Sequence, residues 1–161
     1  MLSNYLNLPE KLQQKAITLF RKYYVPKWAV FTFDSTAVFM TFLLAYLLRF
    51  NFRTNDFFLQ LTFQQAIIST GIYALFFIVF RSYTGLIRHT TIIDIFYVFL
   101  STSISLATLL IISLLSRKFD WSDIFTLPFS IILIHYVLIT MYLFLVRITI
   151  KIFYQFFLFL N

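Results

Sequence analysis

The sequence predicts an all-α integral membrane protein, a four transmembrane helix bundle preceded by an interfacial amphipathic helix. Three observations carry that expectation. Only 12% of the 161 residues are charged while 61% are hydrophobic, and a water-soluble domain carries about 25% charged residues to cover itself. The apolar residues fall into four long runs, each near the ~20 residues that let a helix cross roughly 30 Å of hydrocarbon. The basic residues lie between those runs rather than within them, where they act as topology determinants and as contacts for anionic lipid.

The first 27 residues read as an interfacial segment, helical from about Pro9 to Tyr24. Asn7 caps the helix, and Glu10 three residues later completes a capping box. Leu12, Ala16, Leu19, Phe20 and Tyr23 recur on one side; Lys11, Lys15, Thr18 and Lys22 line the other. A basic and apolar helix of this kind lies along a membrane surface. The pair Val25-Pro26 ends it, because proline pushes the preceding residue out of the helical region. Polar and amphipathic residues before the first apolar run exclude a signal peptide.

Four spans follow, expected at about 28–48, 63–80, 91–115 and 126–146, which make residues 28–147 the transmembrane domain. Trp28 anchors the start of the first, and Arg49 and Arg53 close its end. In the second, Ala66, Thr70 and Ala74 recur every four residues beside Gly71, a spacing that lets helices approach closely in lipid. The third has a hydroxylated middle, including Ser101 and Ser105 on one face. Those hydroxyls must bond the carbonyl one turn back or a neighbouring helix. Pro128 is tolerated in the first turn of the fourth span, and Arg147 and Lys151 end it. Residues 148–161 are too short to span again; they read as an interfacial tail continuing the fourth helix, truncated before a further domain.

Lys11, Lys15, Arg21, Lys22, Lys27, Arg81, Arg88, Arg147 and Lys151 fall on one side of this topology. Arg49, Arg53, Arg117 and Lys118 fall on the other, offset by Asp56, Asp120 and Asp123. Excess basic charge marks the cytoplasmic side, so both termini are expected to be cytoplasmic. A net charge of +7 without a groove-like basic patch excludes nucleic acid as a partner and leaves membrane lipid. The absence of cysteine removes disulfides and thiolate metal sites.

Asp34 and Asp94 lie inside spans, near the N-terminal side. A carboxylate there needs a cation, a proton or a watery recess. With Arg81, Tyr83, Arg88 and Arg147 they outline a polar rim. One reading is a grip on a lipid phosphate or on a following domain. The other is internal pairing that holds the bundle in register. Ser101, Ser105 and His135 are the intramembrane polar residues, and either bond between helices or line a cavity. A lone intramembrane histidine makes no metal site. With no glycine-rich phosphate loop and no nucleophile constellation, neither a catalytic residue nor a cofactor is expected.

Several of these pieces resemble one family. Asp34 early in the first span, the closing run 45–50 (Ala-Tyr-Leu-Leu-Arg-Phe), and the R-x-Y-x-G-x-x-R pattern of Arg81, Tyr83, Gly85 and Arg88 are similar to the membrane-anchored polysaccharide biosynthesis proteins. Asp94, the pair Leu127-Pro128 and Arg147 extend the match over about residues 25 to 150. These are the nucleoside-diphosphate-sugar 4,6-dehydratases and epimerases of capsule and O-antigen assembly. The same four-span module precedes sugar-phosphate transferases that act on polyprenyl phosphate. The resemblance implies a bacterial inner membrane location, and polyprenyl phosphate, a second copy or other biosynthesis proteins as partners. In the family a cytoplasmic dinucleotide-binding domain with a Tyr–Lys pair follows the fourth span. Residues 150–161 depart from that pattern, so the resemblance implies an anchor or scaffold and not the chemistry itself. The alternative is a stand-alone small membrane protein that binds a polyprenyl lipid or another membrane protein.

Overall fold

In lipid no water satisfies a bare backbone amide, so an apolar run must close its hydrogen bonds within itself. The four runs do this as helices. The computed structural model describes residues 27–53, 59–82 and 92–159; the expected N-terminal amphipathic helix lies outside them, as do Tyr83, Arg88 and the side chain of Asp94. The helices are α1 (Lys27–Arg49), α2 (Leu59–Val79), α3 (Ile92–Lys118) and α4 (Phe129–Phe159). All four are long and apolar enough to span a membrane. Each packs mainly on its two neighbours in a closed ring, α1 on α2 and α4, and α3 on α2 and α4.

The spans differ from the expected limits at their ends. The second helix starts one turn earlier, at Leu59 instead of residue 63, and carries Gln64 and Gln65 within it. The third keeps Arg117 and Lys118 in its last turn, where cations suit the negative end of the helix dipole. The fourth begins at Phe129 and runs unbroken to Phe159, about 46 Å at 1.5 Å per residue. Its spanning portion, Phe129–Ile150, is only the first part of it.

The three helix stops among the described residues, after α1, α2 and α3, use no glycine. After α1, the Phe52 amide donates to Leu47 O at 2.7 Å and the Asn51 amide to Leu48 O, with Asn51 at φ 50°. That is the paired bonding of a Schellman cap. Arg81 after α2 (φ 50°) and Asp120 after α3 (φ 48°) occupy the same left-handed position. The Ser82 and Trp121 amides there reach back five residues to Phe77 O and Ser116 O. These caps satisfy carbonyls that the last turns leave without an intrahelical partner.

The interior is a hydrophobic core to which α2 and α3 contribute markedly polar stripes. On α3 the buried stripe is Val98, Ser101, Thr102, Ser105, Leu109, Ser113 and Ser116, mostly hydroxyls, while Phe96, Phe99, Ile111 and Leu114 face outward. On α2 it is Thr62, Gln65, Ala66, Ser69, Tyr73 and Phe77. The expected contact face of Ala66, Thr70 and Ala74 with Gly71 is therefore rotated: Ala66 is buried and Gly71 is exposed. A Cβ placed on Gly71 meets nothing within 4 Å. Gly71→Ala should accordingly stabilise the protein by about 0.5–1 kcal/mol, the helix-interior difference between the two residues. Equilibrium unfolding in bicelles reads this, and a destabilised variant would mean that Gly71 sits at a close contact.

Candidate functional site

The chemistry-bearing side chains lie in the interior of the bundle, in three levels between its two faces.

At the level nearer the N-terminal ends of α1 and α3, Asp34 meets Arg147. Asp34 stands seven residues into α1, about 10 Å along the axis. It belongs to the buried stripe of Val30, Asp34, Ala37, Val38, Phe42, Ala45 and Tyr46. Arg147 occupies the corresponding stripe of α4, after Ile139 and Leu143. Its Nη2 donates to Asp34 Oδ2 at 2.7 Å, with side-chain exposures of 1% and 4%. The contact ties the first helix to the last, across 113 positions of sequence. A charge-assisted bond of this length in a dry setting is among the strong ones.

The middle level holds His135, fully buried on α4. Its ring packs edge-on between Phe42 of α1 and Tyr73 of α2, at centroid distances of 5.2 and 5.1 Å. Nδ1 lies 3.4 Å from Thr41 Oγ1. Around the ring, hydroxyls join α4 to α3: Thr140 donates to Thr102 at 3.3 Å, and Ser103 and Tyr136 share a bond at 3.0 Å.

The far level is built from Gln65 and the connection between α3 and α4. Tyr46 donates to Gln65 Oε1, and Gln65 Nε2 donates to the Asp123 carbonyl at 3.1 Å. Leu127 O accepts from Ser113 Oγ at 2.7 Å and from Arg117 Nη2 at 2.9 Å. Ser113 is five residues before the end of α3, so the connection folds back between the helices before α4 starts. Non-helical backbone at such depth survives only where protein groups satisfy it, and these three donors do so. Arg117 also lies 4.3 Å over the Phe129 ring. Ser113→Ala should cost about 1 kcal/mol, the net value of one neutral hydrogen bond. Arg117→Leu should cost more, about 1.5–3 kcal/mol for a charged donor. Unfolding measurements in bicelles check both; equal small losses would mean that the carbonyl is satisfied without them.

Among the residues expected to matter from the sequence, the structure brings together Asp34 and Arg147. Arg81 lies at the surface in the cap of α2. Ser101 bonds Val98 O and accepts from Ser82 Oγ at 3.4 Å, linking α3 to the end of α2; Ser105 bonds Ser101 O. Neither bonds His135, whose polar contact is with α1, so these intramembrane polar residues do not form one group. Sequence reasoning missed Thr41, Tyr46, Gln65, Ser69, Tyr73 and Ser113. For Gln65, Ser69 and Tyr73 the signal was the 3-4-4 spacing from Thr62, which puts four polar groups on one face; Thr41, Tyr46 and Ser113 had none.

On the outside, α1 and α4 leave a groove of about 190 Å³ lined by Phe33, Thr36, Ala37, Met40, Thr41 and Tyr142. It opens to the lipid side, where Phe33 and Met40 are more than half exposed.

This fold and interior define a multi-pass α-helical membrane protein: a four-span bundle that buries a set of polar groups within an apolar core and turns large aliphatic and aromatic groups outward to lipid. No protein-family model, curated protein or solved structure matches the chain.

Proposed function

We propose that the protein is a non-catalytic anchor and scaffold module of bacterial polysaccharide biosynthesis, held in the inner membrane with both termini in the cytoplasm. The Asp34–Arg147 pair carries this reading. Its two charges neutralise each other inside the protein, closing α1 onto α4, which is what a rigid platform needs and what a phosphate-gripping rim does not. The family resemblance at Asp34, Arg81, Tyr83, Gly85, Arg88 and Arg147 supplies the biosynthetic context. The basic excess on the side of Lys27, Arg81 and Lys151 supplies the orientation.

Deleting the gene should lower surface polysaccharide, while the purified chain turns over no nucleotide sugar. Unchanged polysaccharide would remove the biosynthetic role, and turnover would remove the scaffold reading. The natural lack of cysteine makes topology simple to read. Asn55→Cys should react with an impermeant maleimide on intact spheroplasts and Gly85→Cys only after lysis; the reverse pattern inverts the orientation.

A second reading, a small protein that binds a polyprenyl lipid, is favoured by the groove between α1 and α4. Its wall is apolar apart from hydroxyls. Thr36 Oγ1 donates to Thr32 O, and Thr41 Oγ1 to Ala37 O, so those hydroxyl protons are already engaged and hydrocarbon fits the surface. Co-purified lipid identified by mass spectrometry separates the readings. Enrichment of a polyprenyl species that is lost in Ala37→Phe supports the second.

A further inference from the structure

The middle of the bundle holds three polar atoms that are buried and unpartnered: His135 Nε2, the Tyr73 hydroxyl and Ser69 Oγ. All three residues have 0% exposure. Unsatisfied polar atoms inside protein are rare and call for an explanation, and one explanation here is an unseen hydrogen-bonding occupant.

The chemistry of each atom can be worked out from its neighbours. Thr41 Oγ1 has a single proton, and it lies 2.8 Å from Ala37 O and 3.0 Å from Val38 O. That proton is committed to the helix carbonyls, so Thr41 presents a lone pair to His135 Nδ1. Nδ1 therefore carries the ring proton, and Nε2 is a bare acceptor. Tyr73, whose ring lies 5.1 Å from the imidazole, offers a donor. Ser69 is one turn earlier on the same buried stripe of α2 and can donate or accept. An acceptor, a donor and an adaptable hydroxyl are the partners that a buried water takes, since such waters make two to four bonds.

We propose that His135, Tyr73 and Ser69 hold an internal water molecule at the centre of the bundle. The water donates to Nε2, accepts from the Tyr73 hydroxyl and completes its bonding at Ser69. It links α2 to α4, the two helices that meet across the ring instead of as neighbours. The site lies between the Asp34–Arg147 level and the Gln65–Tyr46 level, within the hydrophobic core. This inference is independent of the biosynthetic role proposed above.

The chain has only two histidines, which makes the test clean. The full chain carrying His89→Gln and ¹⁵N-histidine is placed in phospholipid bilayers, with an affinity tag free of histidine. Water-edited solid-state NMR then reads magnetisation passing from water protons to the ring nitrogens. The expected result is transfer to Nε2, together with a ¹⁵N shift characteristic of a hydrogen-bonded acceptor. Tyr73→Phe and Ser69→Ala should each weaken the transfer, and the double variant should lose it. A dry Nε2 with the shift of a free lone pair overturns the proposal. A direct Tyr73–His135 bond without water, or transfer that persists unchanged in the double variant, does so equally. Should the double variant fail to fold, the unsubstituted Tyr73 and Ser69 protein decides alone, through the presence or absence of transfer.

Discussion

Replacing Arg147 with methionine should destabilise the bundle by about 3–5 kcal/mol, the usual consequence of removing one partner of a buried ion pair. An exposed pair would be worth only about 0–1 kcal/mol. The deciding quantity is burial: both side chains are less than 5% exposed. Loss of the guanidinium leaves the Asp34 carboxylate at membrane depth, where water must penetrate or the helices must part to solvate it. Asp34→Leu strands the guanidinium in the same way. The double variant Asp34→Leu with Arg147→Met should be less damaged than the sum of the single changes, by about 0.5–3 kcal/mol, as expected for residues in contact. Arg147→Lys keeps the charge but loses the planar fork and should fall between wild type and Arg147→Met. Steric trapping in bicelles measures all four. Additivity of the two single changes would mean that the 2.7 Å contact contributes nothing in the membrane.

Phe42→Ala is the second large effect. Phe42 is fully buried, its ring 5.5 Å from Tyr46 and 5.2 Å from His135. In water-soluble proteins such a truncation costs about 3–5 kcal/mol, part transfer from water and part cavity. Helices separated in a bilayer remain in hydrocarbon, so the transfer part is largely absent and packing remains. The expected loss is therefore about 2–3 kcal/mol, below the water-soluble range because mainly the packing part remains. Met40→Ala, on the same helix but 58% exposed, removes mainly contacts with lipid and should stay within about 0.5 kcal/mol. Similar losses for the two would mean that α1 is rotated from the position described.

The spans were readable because a transmembrane helix is a local property: its length and hydropathy are sums over adjacent residues. The boundaries were less readable. Gln64 and Gln65, just inside the expected start at residue 63, blurred the beginning of α2, since a glutamine at membrane depth is costly unless satisfied. Gln65 is satisfied by Tyr46 and the Asp123 carbonyl, partners 19 and 58 positions away. The face of α2 was misread for a related reason. Small residues at four-residue spacing identify a surface that can pack closely, but they do not say which surface does. Thr62, Gln65, Ser69 and Tyr73 took the inside because most outward positions of α2 face lipid.

The two candidate readings of Asp34 differ in the same way. From the sequence, a carboxylate within a span needs a partner, and Lys27, Arg88 and Arg147 were all on its side. Only the closing of the ring, with α4 beside α1, placed Arg147 against it. The sequence by itself determined that the chain lives in lipid, crosses it four times and must hide its polar groups. Tertiary structure alone decided which groups hide together, because hydropathy is summed along the chain whereas a hydrogen bond depends on distance in space.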